Sequence, residues 1–217
     1  MRTIAILPVK GLTEAKQRLA RELAPALRQA LAEAMLADVL MALGHCAELD
    51  AVLVVSGASA AHRIARDHDA LVIHDRDRGH NAAASRGIGA ALEWSAERAL
   101  LVPGDCPLLD PAELDRLLGD PVAPPTVLVV PDRHGTGTNA LLLSPPGALE
   151  PSFGPGSCAR HLADAKRAGV PGELVQVPSL ALDIDTPEDL AAIRELFALR
   201  SDGAPHTRAV IGQLARC

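Results

Sequence analysis

Residues 100–107 read LLVPGDCP, and this stretch decides the fold class of the chain. Its apolar beginning predicts a buried strand, which stops abruptly at the Pro-Gly pair before Asp105. In an open parallel sheet, ligands bind just beyond the carboxyl ends of the strands. We therefore predict that Asp105 faces a ligand site; the alternative is a turn residue that binds nothing.

A second acidic strand end lies further along the chain, where Asp183 and Asp185 follow the apolar residues 181–182. Two such ends with few basic residues nearby predict a hard divalent cation. Mg²⁺ is the expected ion, because it is usually held by one or two carboxylates together with substrate phosphates. The sequence does not choose between the two late aspartates, since both precede the same helix.

Strand and helix patterns alternate on either side of these acids. Strands are predicted over 3–9, 51–55, 71–74, 99–102, 126–130 and 141–143, and helices over 26–43, 58–67, 82–97 and 186–199, with a further helix start at 110. This alternation predicts an α/β fold with three layers, in which helices cover both faces of a mostly parallel, Rossmann-like sheet. We expect one domain over residues 1–200 and a tail over 201–217, for which a frayed extension or a crystal-contact helix is favoured.

Composition excludes several classes of function. The chain has no tyrosine and a formal net charge of −6, which argues against nucleic-acid binding because that needs a basic surface and stacking aromatic rings. The four cysteines form no CxxC pair, as expected for reduced thiols in the cytoplasm. No apolar run approaches the roughly 20 residues of a membrane helix, and a strand so near Met1 leaves no room for a signal peptide.

The lysines are unevenly distributed. Of the 21 basic residues only three are lysines, and two of them, Lys10 and Lys16, lie in the loop after the first strand. Lysine is a compact point charge that suits phosphate, so we predict that this loop, with Arg18, wraps a triphosphate. It is not a P-loop, because the GxxxxGK[ST] pattern is absent. Chance surface positions are the alternative.

Two further regions suggest ligand contacts. In the turn GHNAA at 79–83, Asn81 either reads the edge of a purine or caps the following helix. The glycine- and hydroxyl-rich stretches GTGTN at 135–139 and FGPGS at 153–157 would suit a small acid that carries phosphate and carboxylate, because the second runs into a helix N-terminus. A hairpin turn and a loop are the plainer readings, and His161 is weak evidence among eight histidines.

Taken in chain order, these motifs resemble the guanylyltransferases of coenzyme F-420 biosynthesis, which are relatives of the molybdenum-cofactor nucleotidyltransferases. The matching stretches are LPVKGLTEAKQRL at 7–19, GHNAA at 79–83, PGDCPLL at 103–109, GTGTNALLL at 135–143, FGPGSCARH at 153–161 and LDIDTPEDL at 182–190. The first stretch replaces the LAGGxSxRMG loop of the wider group, which favours the F-420 branch. The resemblance covers about residues 1–198.

The resemblance implies a sheet of the nucleotide-diphospho-sugar transferase type and transfer of GMP from GTP, with release of pyrophosphate. The acceptor would be a phosphorylated three-carbon acid: phosphoenolpyruvate, 2-phospho-L-lactate or 3-phospho-D-glycerate. By the family pattern, Thr138, Gly154 and Ser157 would hold this acceptor. Asp105 with Asp183 or Asp185 would bind Mg²⁺, and Lys10 and Lys16 would lie along the GTP phosphates. Whether the protein is a monomer or a homodimer stays open.

The expected reaction is in-line attack by an acceptor phosphate oxygen on the α-phosphorus, with Lys10, Lys16 and Asp105 as the catalytic residues. The alternatives are a molybdenum-cofactor-type nucleotidyltransferase, a nucleotide-sugar glycosyltransferase that uses the DxD-like stretch 75–77, and a nucleotide-sensing domain without activity.

Overall fold

The fold is described from a computed structural model, which covers residues 1–76, 79–120 and 123–214. Within these ranges seven strands form one sheet, and seven helices pack around it. The strands are β1 (Thr3–Val9), β2 (Ala51–Ser56), β3 (Leu71–His74), β4 (Arg98–Leu101), β5 (Thr126–Pro131), β6 (Thr138–Ser144) and β7 (Gly172–Leu174). The helices are α1 (Pro25–Gly44), α2 (Ser59–Asp67), α3 (His80–Glu93), α4 (Pro111–Gly119), α5 (Ser157–Arg167), α6 (Pro187–Leu199) and α7 (Pro205–Leu214).

The predicted mostly parallel α/β sheet is confirmed. The strand order is β3-β2-β1-β4-β6-β5-β7, and β6 is the one strand of the described sheet that runs antiparallel to its neighbours. It runs that way because a short hairpin turn joins it to β5. The parallel pairing of β1, β2, β3 and β4 places their carboxyl ends at one edge of the sheet, which is where ligands bind in such folds.

Side chains of the strands alternate between two apolar layers, as the pleat requires. Ala5 and Leu7 of β1 pack in the layer with α1, α2, α4, α6 and α7, whereas Ile4 and Ile6 pack with α3 and α5. Gly87 lets α3 approach the sheet closely, because a Cβ atom there would collide with the Ile6 side chain. These contacts give the predicted three-layer arrangement.

The helix starts predicted at residues 110 and 186 are both present. Asp110 caps α4 by accepting the amide of Ala112 at 2.9 Å. Thr186 and Asp189 form a capping box at the start of α6, in which each side chain bonds the backbone of the other residue. The caps lie close to Asp105 and Asp185 respectively, so they help to set the direction of the loops that carry these acids.

The C-terminal region differs from the expected frayed extension. Residues Pro205–Leu214 form α7, which packs against α1. Asp38 of α1 is buried and accepts the backbone amides of His206 and Thr207 at 3.0 and 2.7 Å. A buried carboxylate at a helix N-terminus satisfies amides that otherwise have no partner, so it anchors α7. In the described ranges, every helix is too short or too polar to cross a bilayer.

Candidate active site

The site lies at the carboxyl ends of β1 and β4. Because these strands are adjacent and parallel, the loop after β1 and the loop after β4 face each other across a cavity of about 660 Å³. The cavity wall includes Lys10 and Lys16 from the first loop and Asp105 from the second. Asp185 completes the polar side, and Met35 of α1 contributes to the apolar side.

Lys16 joins Asp105, which follows β4, to Asp185. The strand predicted before Asp183 and Asp185 is wrong, because the chain there forms the 3-10 turn Pro178–Leu180 and then a loop that enters α6. Its Nζ atom lies 2.6 Å from Asp105 Oδ2 and 2.7 Å from Asp185 Oδ1, and its side chain is 6% exposed. The backbone of Lys16 has φ 58° and ψ 41°, a left-handed conformation that is costly for a residue with a Cβ atom. Lys16 therefore contacts both Asp105 and Asp185, two predicted site residues that are distant from it in sequence.

The charges at this point stabilise one another. Burial lowers the pKa of the Lys16 ammonium, but the charges of Asp105 and Asp185 and their hydrogen bonds outweigh it, so the pKa is raised above its usual range. Burial raises the pKa of Asp183, and the negative charge of Asp105 raises it further. The cluster is thus rich in carboxylate, with one lysine at its centre.

Asp183 is held beside the other acids by Asn139. The Asn139 amide donates to the carbonyl of Leu180 at 2.7 Å and to Asp183 Oδ1 at 3.2 Å. The amide of Ile184 also donates to the Asp105 carbonyl at 3.2 Å, which fastens the two acidic loops together. All three predicted metal-site aspartates therefore belong to one region.

The donor set fits Mg²⁺ when a substrate supplies the remaining ligands. Asp105 and Asp185 already share a cation and keep 27% and 44% of their side chains exposed, so their oxygens are accessible. In the ranges described, no group of three or more His, Cys, Asp or Glu side chains is assembled for a metal. Two carboxylates plus phosphate oxygens are the usual environment of Mg²⁺, so the residues present are compatible with it.

Lys10 lies on the rim of the same cavity. It is exposed, and it shares the cavity wall with His80, the first residue of α3. Burial lowers the pKa of His80, and the positive charge of Lys10 lowers it further. Lys10 and Lys16 are the positively charged side chains that the first loop contributes to the cavity wall.

Two predicted nucleotide-binding residues lie outside the cavity wall. Arg18 is exposed in the 3-10 turn Gln17–Leu19. The Asn81 side chain instead makes two bonds to the backbone of Phe153, accepting its amide at 2.8 Å and donating to its carbonyl at 3.2 Å. The helix-cap alternative for Asn81 is wrong, because Gly79 is the N-cap residue and no side chain caps α3.

A second cavity, of about 450 Å³, continues the first along the sheet edge. The two cavities share Gly11, Leu12 and Thr13, and the second extends over the ends of β2 and β3 to His74 and Asp75. Asp75 is buried at the end of β3. The DxD-like stretch predicted at 75–77 includes Asp77, which lies outside the described residues.

The two glycine- and hydroxyl-rich stretches are adjacent. The first is the β5–β6 turn, in which Asp132 accepts the amides of Thr136 and Gly137, each at 2.9 Å. The amide of Cys158 at the start of α5 donates to the Thr136 carbonyl at 3.2 Å. Thr138 Oγ1 lies 3.0 Å from His161 Nδ1. The predicted acceptor residues on β6 and α5 are therefore close together.

The N-terminus of α5 is shaped by glycine and held by arginine. Gly154 and Gly156 have φ 123° and φ 71°, and the buried Ser157 follows as the first residue of the helix. Arg160 donates to the carbonyls of Ser152 and Pro155, which places its guanidinium beside both glycines. Since the amide of Ser157 already bonds Gly154, an anion here would rely on hydroxyls and on the positive charge of Arg160.

A match to a family profile identifies the family of this chain. The profile described as guanylyl transferase CofC like matches residues 3–201, nearly the whole chain. This chain belongs to the CofC-like guanylyl transferase family. The predicted resemblance to a family of guanylyltransferases is thereby confirmed.

Two curated members of the CofC-like family show how near the relatives are. The phosphoenolpyruvate guanylyltransferase of Conexibacter woesei is 52% identical over 100% of this chain and 98% of its own length. The 3-phospho-D-glycerate guanylyltransferase of Phenylobacterium zucineum is 39% identical over 87% of this chain and 88% of its own. The family therefore includes relatives with different named acceptors.

A solved structure from Desulfovibrio desulfuricans G20, described as a nucleotide-diphospho-sugar transferase, shares the fold of this CofC-like chain. The TM-score is 0.75 at 14% identity, and the match covers 99% of both chains. The predicted type of sheet is confirmed.

The sequence alone did not identify Asp189 and Arg133 as residues that hold the Asp185 loop in place. Asp189 Oδ2 accepts the amides of Asp185 and Thr186 at 3.0 and 2.7 Å, and its Oδ1 atom lies 2.6 Å from Arg133 Nη2. The capping-box pattern pointed to Asp189, but not to its bond with the Asp185 amide. Arg133 comes from the β5–β6 turn, and no local pattern in the sequence links that turn to residues 185–189.

Proposed function

We propose that this chain transfers GMP from GTP to phosphoenolpyruvate and releases pyrophosphate, as a cytoplasmic step of coenzyme F-420 biosynthesis. The observation that carries the proposal is Lys16, buried between Asp105 and Asp185 in a cavity at the carboxyl edge of the sheet. A lysine between two loop carboxylates provides the opposite charges that a triphosphate and its counter-ion require. The buried free thiols of Cys46, Cys106 and Cys158 agree with a reducing compartment.

The two connected cavities suit the two ends of a nucleoside triphosphate. We place the triphosphate in the first cavity, where Lys10 and Lys16 face the space. The base then extends past the shared wall at Gly11–Thr13 into the second cavity, where Asp75 lies. The relatives named as guanylyltransferases support GTP as the donor nucleotide.

Positioning and charge neutralisation are the expected means of catalysis. Mg²⁺ bound at Asp105 and Asp185 would supply positive charge to the α-phosphate and to the leaving pyrophosphate. Lys16, released from one of its carboxylates, would add charge at the α-phosphate, and Lys10 at the rim would hold the leaving group. Asp189 and Asn139 would keep Asp185 and Asp183 in place behind them.

The acceptor needs no general base in this reaction. A phosphate monoester has a second pKa near 6, so its oxygens are largely ionised at neutral pH. One of these oxygens forms a bond to the α-phosphorus of GTP while the bond from that phosphorus to the β-bridging oxygen breaks, and the electron pair leaves with pyrophosphate. Thr138, Gly154 and Ser157 would hold the acceptor, with Arg160 supplying positive charge beside them.

Phosphoenolpyruvate is proposed as the acceptor because the 52% identical relative bears that name, whereas the relative named for 3-phospho-D-glycerate is 39% identical. The test is to supply GTP and Mg²⁺ with phosphoenolpyruvate, 2-phospho-L-lactate or 3-phospho-D-glycerate in turn, and to measure pyrophosphate and the guanylylated product by mass. We expect the highest kcat/KM with phosphoenolpyruvate. Turnover with CTP in preference to GTP, or with a GDP-sugar, would reject the proposal.

Asp105 provides the sharpest test of the charge arrangement. Asp105→Asn keeps the shape but removes a negative charge next to Lys16, so we expect kcat to fall roughly 100-fold or more while the protein stays folded. Asp110→Asn is the matched control, because asparagine caps a helix as well as aspartate does. Near-normal turnover of Asp105→Asn would show that this carboxylate has no part in the reaction.

A further inference from the structure

His161 is fully buried on α5 and is hydrogen-bonded at both ring nitrogens. Its Nε2 atom lies 3.0 Å from the backbone nitrogen of Ser152, and its Nδ1 atom lies 3.0 Å from the hydroxyl oxygen of Thr138. Phe153 packs edge-on against the ring, with the ring centres 5.2 Å apart. The imidazole therefore has one orientation, fixed from three sides.

These contacts determine which nitrogen carries the proton. A backbone amide can only donate, so Nε2 must accept the bond from Ser152 and cannot itself be protonated. Burial and the positive charge of Arg160 together lower the pKa of His161 to about 4, against the opposing charge of Asp164, so the ring is neutral near pH 7. A neutral imidazole that is bare at Nε2 holds its proton on Nδ1.

The protonated Nδ1 atom of His161 constrains the hydroxyl group of Thr138. Because Nδ1–H donates to the Thr138 hydroxyl oxygen, the hydroxyl proton of Thr138 cannot point back at the histidine. Thr138 is half-buried at the start of β6, so its hydroxyl group is partly accessible, and its proton can be donated to a ligand that reaches it. A threonine that is free to rotate would spend part of its time with its lone pairs directed at that ligand, which repels an anion.

We propose that His161 is a positioning residue that holds the Thr138 hydroxyl as a hydrogen-bond donor to the anionic acceptor. The inference rests on the proposed function, since it assigns Thr138 to the phosphate or carboxylate of the three-carbon acid. The nearby glycines of the α5 N-terminus and the guanidinium of Arg160 make the same place favourable for negative charge.

The same ring contacts connect the acceptor region to the nucleotide cavity. Phe153 packs edge-on against His80 as well as His161, with ring centres 5.1 Å apart in the first pair. His80 lines the first cavity, and Asn81 holds the Phe153 backbone with two hydrogen bonds. His80 and Phe153 thus connect the ring that contacts Thr138 to the cavity proposed for the triphosphate, so an acceptor bound by Thr138 would lie next to the nucleotide.

The first experiment measures the proton directly in the unaltered protein. Long-range ¹H–¹⁵N NMR of histidine-labelled protein at pH 7 distinguishes the two neutral tautomers and the imidazolium. We expect His161 to be protonated at Nδ1 alone, with His161→Asn used to assign the signal. Protonation at Nε2, or at both nitrogens, would overturn the proposal whether or not the enzyme is active.

The second experiment separates positioning from folding by kinetics with GTP and phosphoenolpyruvate. His161→Leu removes the donor to Thr138, and His161→Asn keeps an N–H near the Nδ1 position. We expect His161→Leu to raise the KM for phosphoenolpyruvate about 10-fold, since one hydrogen bond is lost, and to leave the KM for GTP unchanged. His161→Asn should recover most of the loss. Equal acceptor KM values for the two variants would overturn the proposal.

Threonine variants keep the test decisive if His161→Leu does not fold. Thr138→Ser retains the hydroxyl and should keep an acceptor KM near that of the unaltered enzyme, whereas Thr138→Val should raise it. An acceptor KM unchanged by Thr138→Val would overturn the inference. If the unaltered enzyme showed no turnover with any acceptor, the proposed function would fail on that result, while the NMR measurement would still decide the tautomer.

Discussion

At the scale of single residues, the chemistry depends on Lys16. A buried lysine is costly unless opposite charges surround it, and Asp105 and Asp185 supply two. Its left-handed backbone adds strain that the surrounding contacts must maintain. Lys16 thus occupies the position between the acids where a divalent cation would also be stabilised, so the two cations are expected to influence each other.

This competition can be measured without turnover. Lys16→Met leaves Asp105 and Asp185 without their shared cation, so we expect a lower melting temperature and a larger stabilisation by Mg²⁺ than in the unaltered protein. The readout is the melting temperature with and without millimolar Mg²⁺. Lys166→Met, at an exposed lysine of α5, is the control and should show the Mg²⁺ response of the unaltered protein. An equal response in Lys16→Met would show that Mg²⁺ binds elsewhere.

The lowered pKa of His161 predicts that the stability of the protein depends on pH. Its pKa is about 4 in the folded protein and about 6.5 when unfolded, so the unfolded chain binds more protons between these values. Stability is therefore expected to fall as the pH decreases from about 6.5 to about 4, by about 3 kcal/mol from this residue. Urea unfolding at pH 7 and pH 5 should show a smaller decrease for His161→Asn. An equal decrease in the free energy of unfolding in the two proteins would mean that His161 is not buried in its neutral form.

At the scale of secondary-structure elements, the start of α6 positions the late acids. Asp189 bonds the amides of Asp185 and Thr186, receives the Thr186 hydroxyl and pairs with Arg133. The cap therefore does more than begin a helix. It ties the loop of Asp185 to the turn between β5 and β6, and hence to the strand that carries Thr138.

Asp189→Ala should therefore affect both stability and activity. We expect a loss of about 2 kcal/mol in the free energy of unfolding, because several charge-assisted hydrogen bonds disappear, and a fall in kcat because Asp185 loses its anchor. Urea unfolding and pyrophosphate release are the measurements. Glu188→Ala, at the exposed neighbouring acid, should change neither by much. Loss of stability with unchanged kcat would show that Asp185 is held independently of the cap.

At the scale of the whole molecule, α7 supports a helix that forms part of the cavity. Helix α1 presents Met35 and Leu36 to the cavity and holds α7 through the buried Asp38. The C-terminal region is thus connected to the active-site wall through one helix, although it contributes no residue to the cavities described.

Asp38→Ala tests this connection. Removal of the carboxylate leaves two amides of α7 unpaired in a buried place, so we expect a loss of about 2–4 kcal/mol in stability and faster hydrogen exchange across Pro205–Leu214. Glu195→Ala, at an exposed acid of α6, is the control. Unchanged exchange in α7 would contradict the anchoring role of Asp38.

Much of the fold could be predicted because its signals are local. The apolar runs of β1 and β4, the caps at Asp110 and Thr186 and the acid after β4 depend on neighbouring residues. The three-residue strand β7 was missed because its side chains are exposed and show no apolar alternation. A helix was one of the two expectations for residues 201–217, but its packing on α1 was not predicted, because its anchor, Asp38, lies about 170 residues earlier in the chain.

By itself, the amino-acid sequence determined which segments become strands and helices, and which ends of them carry acids, lysines and glycines, since periodicity and capping act over a few residues. Only the tertiary structure decided that Lys16 lies between Asp105 and Asp185, that Asn81 holds the Phe153 backbone, and that His161 orients Thr138. These contacts join residues 23 to 169 positions apart. They depend on sheet order and helix packing, which no local pattern specifies.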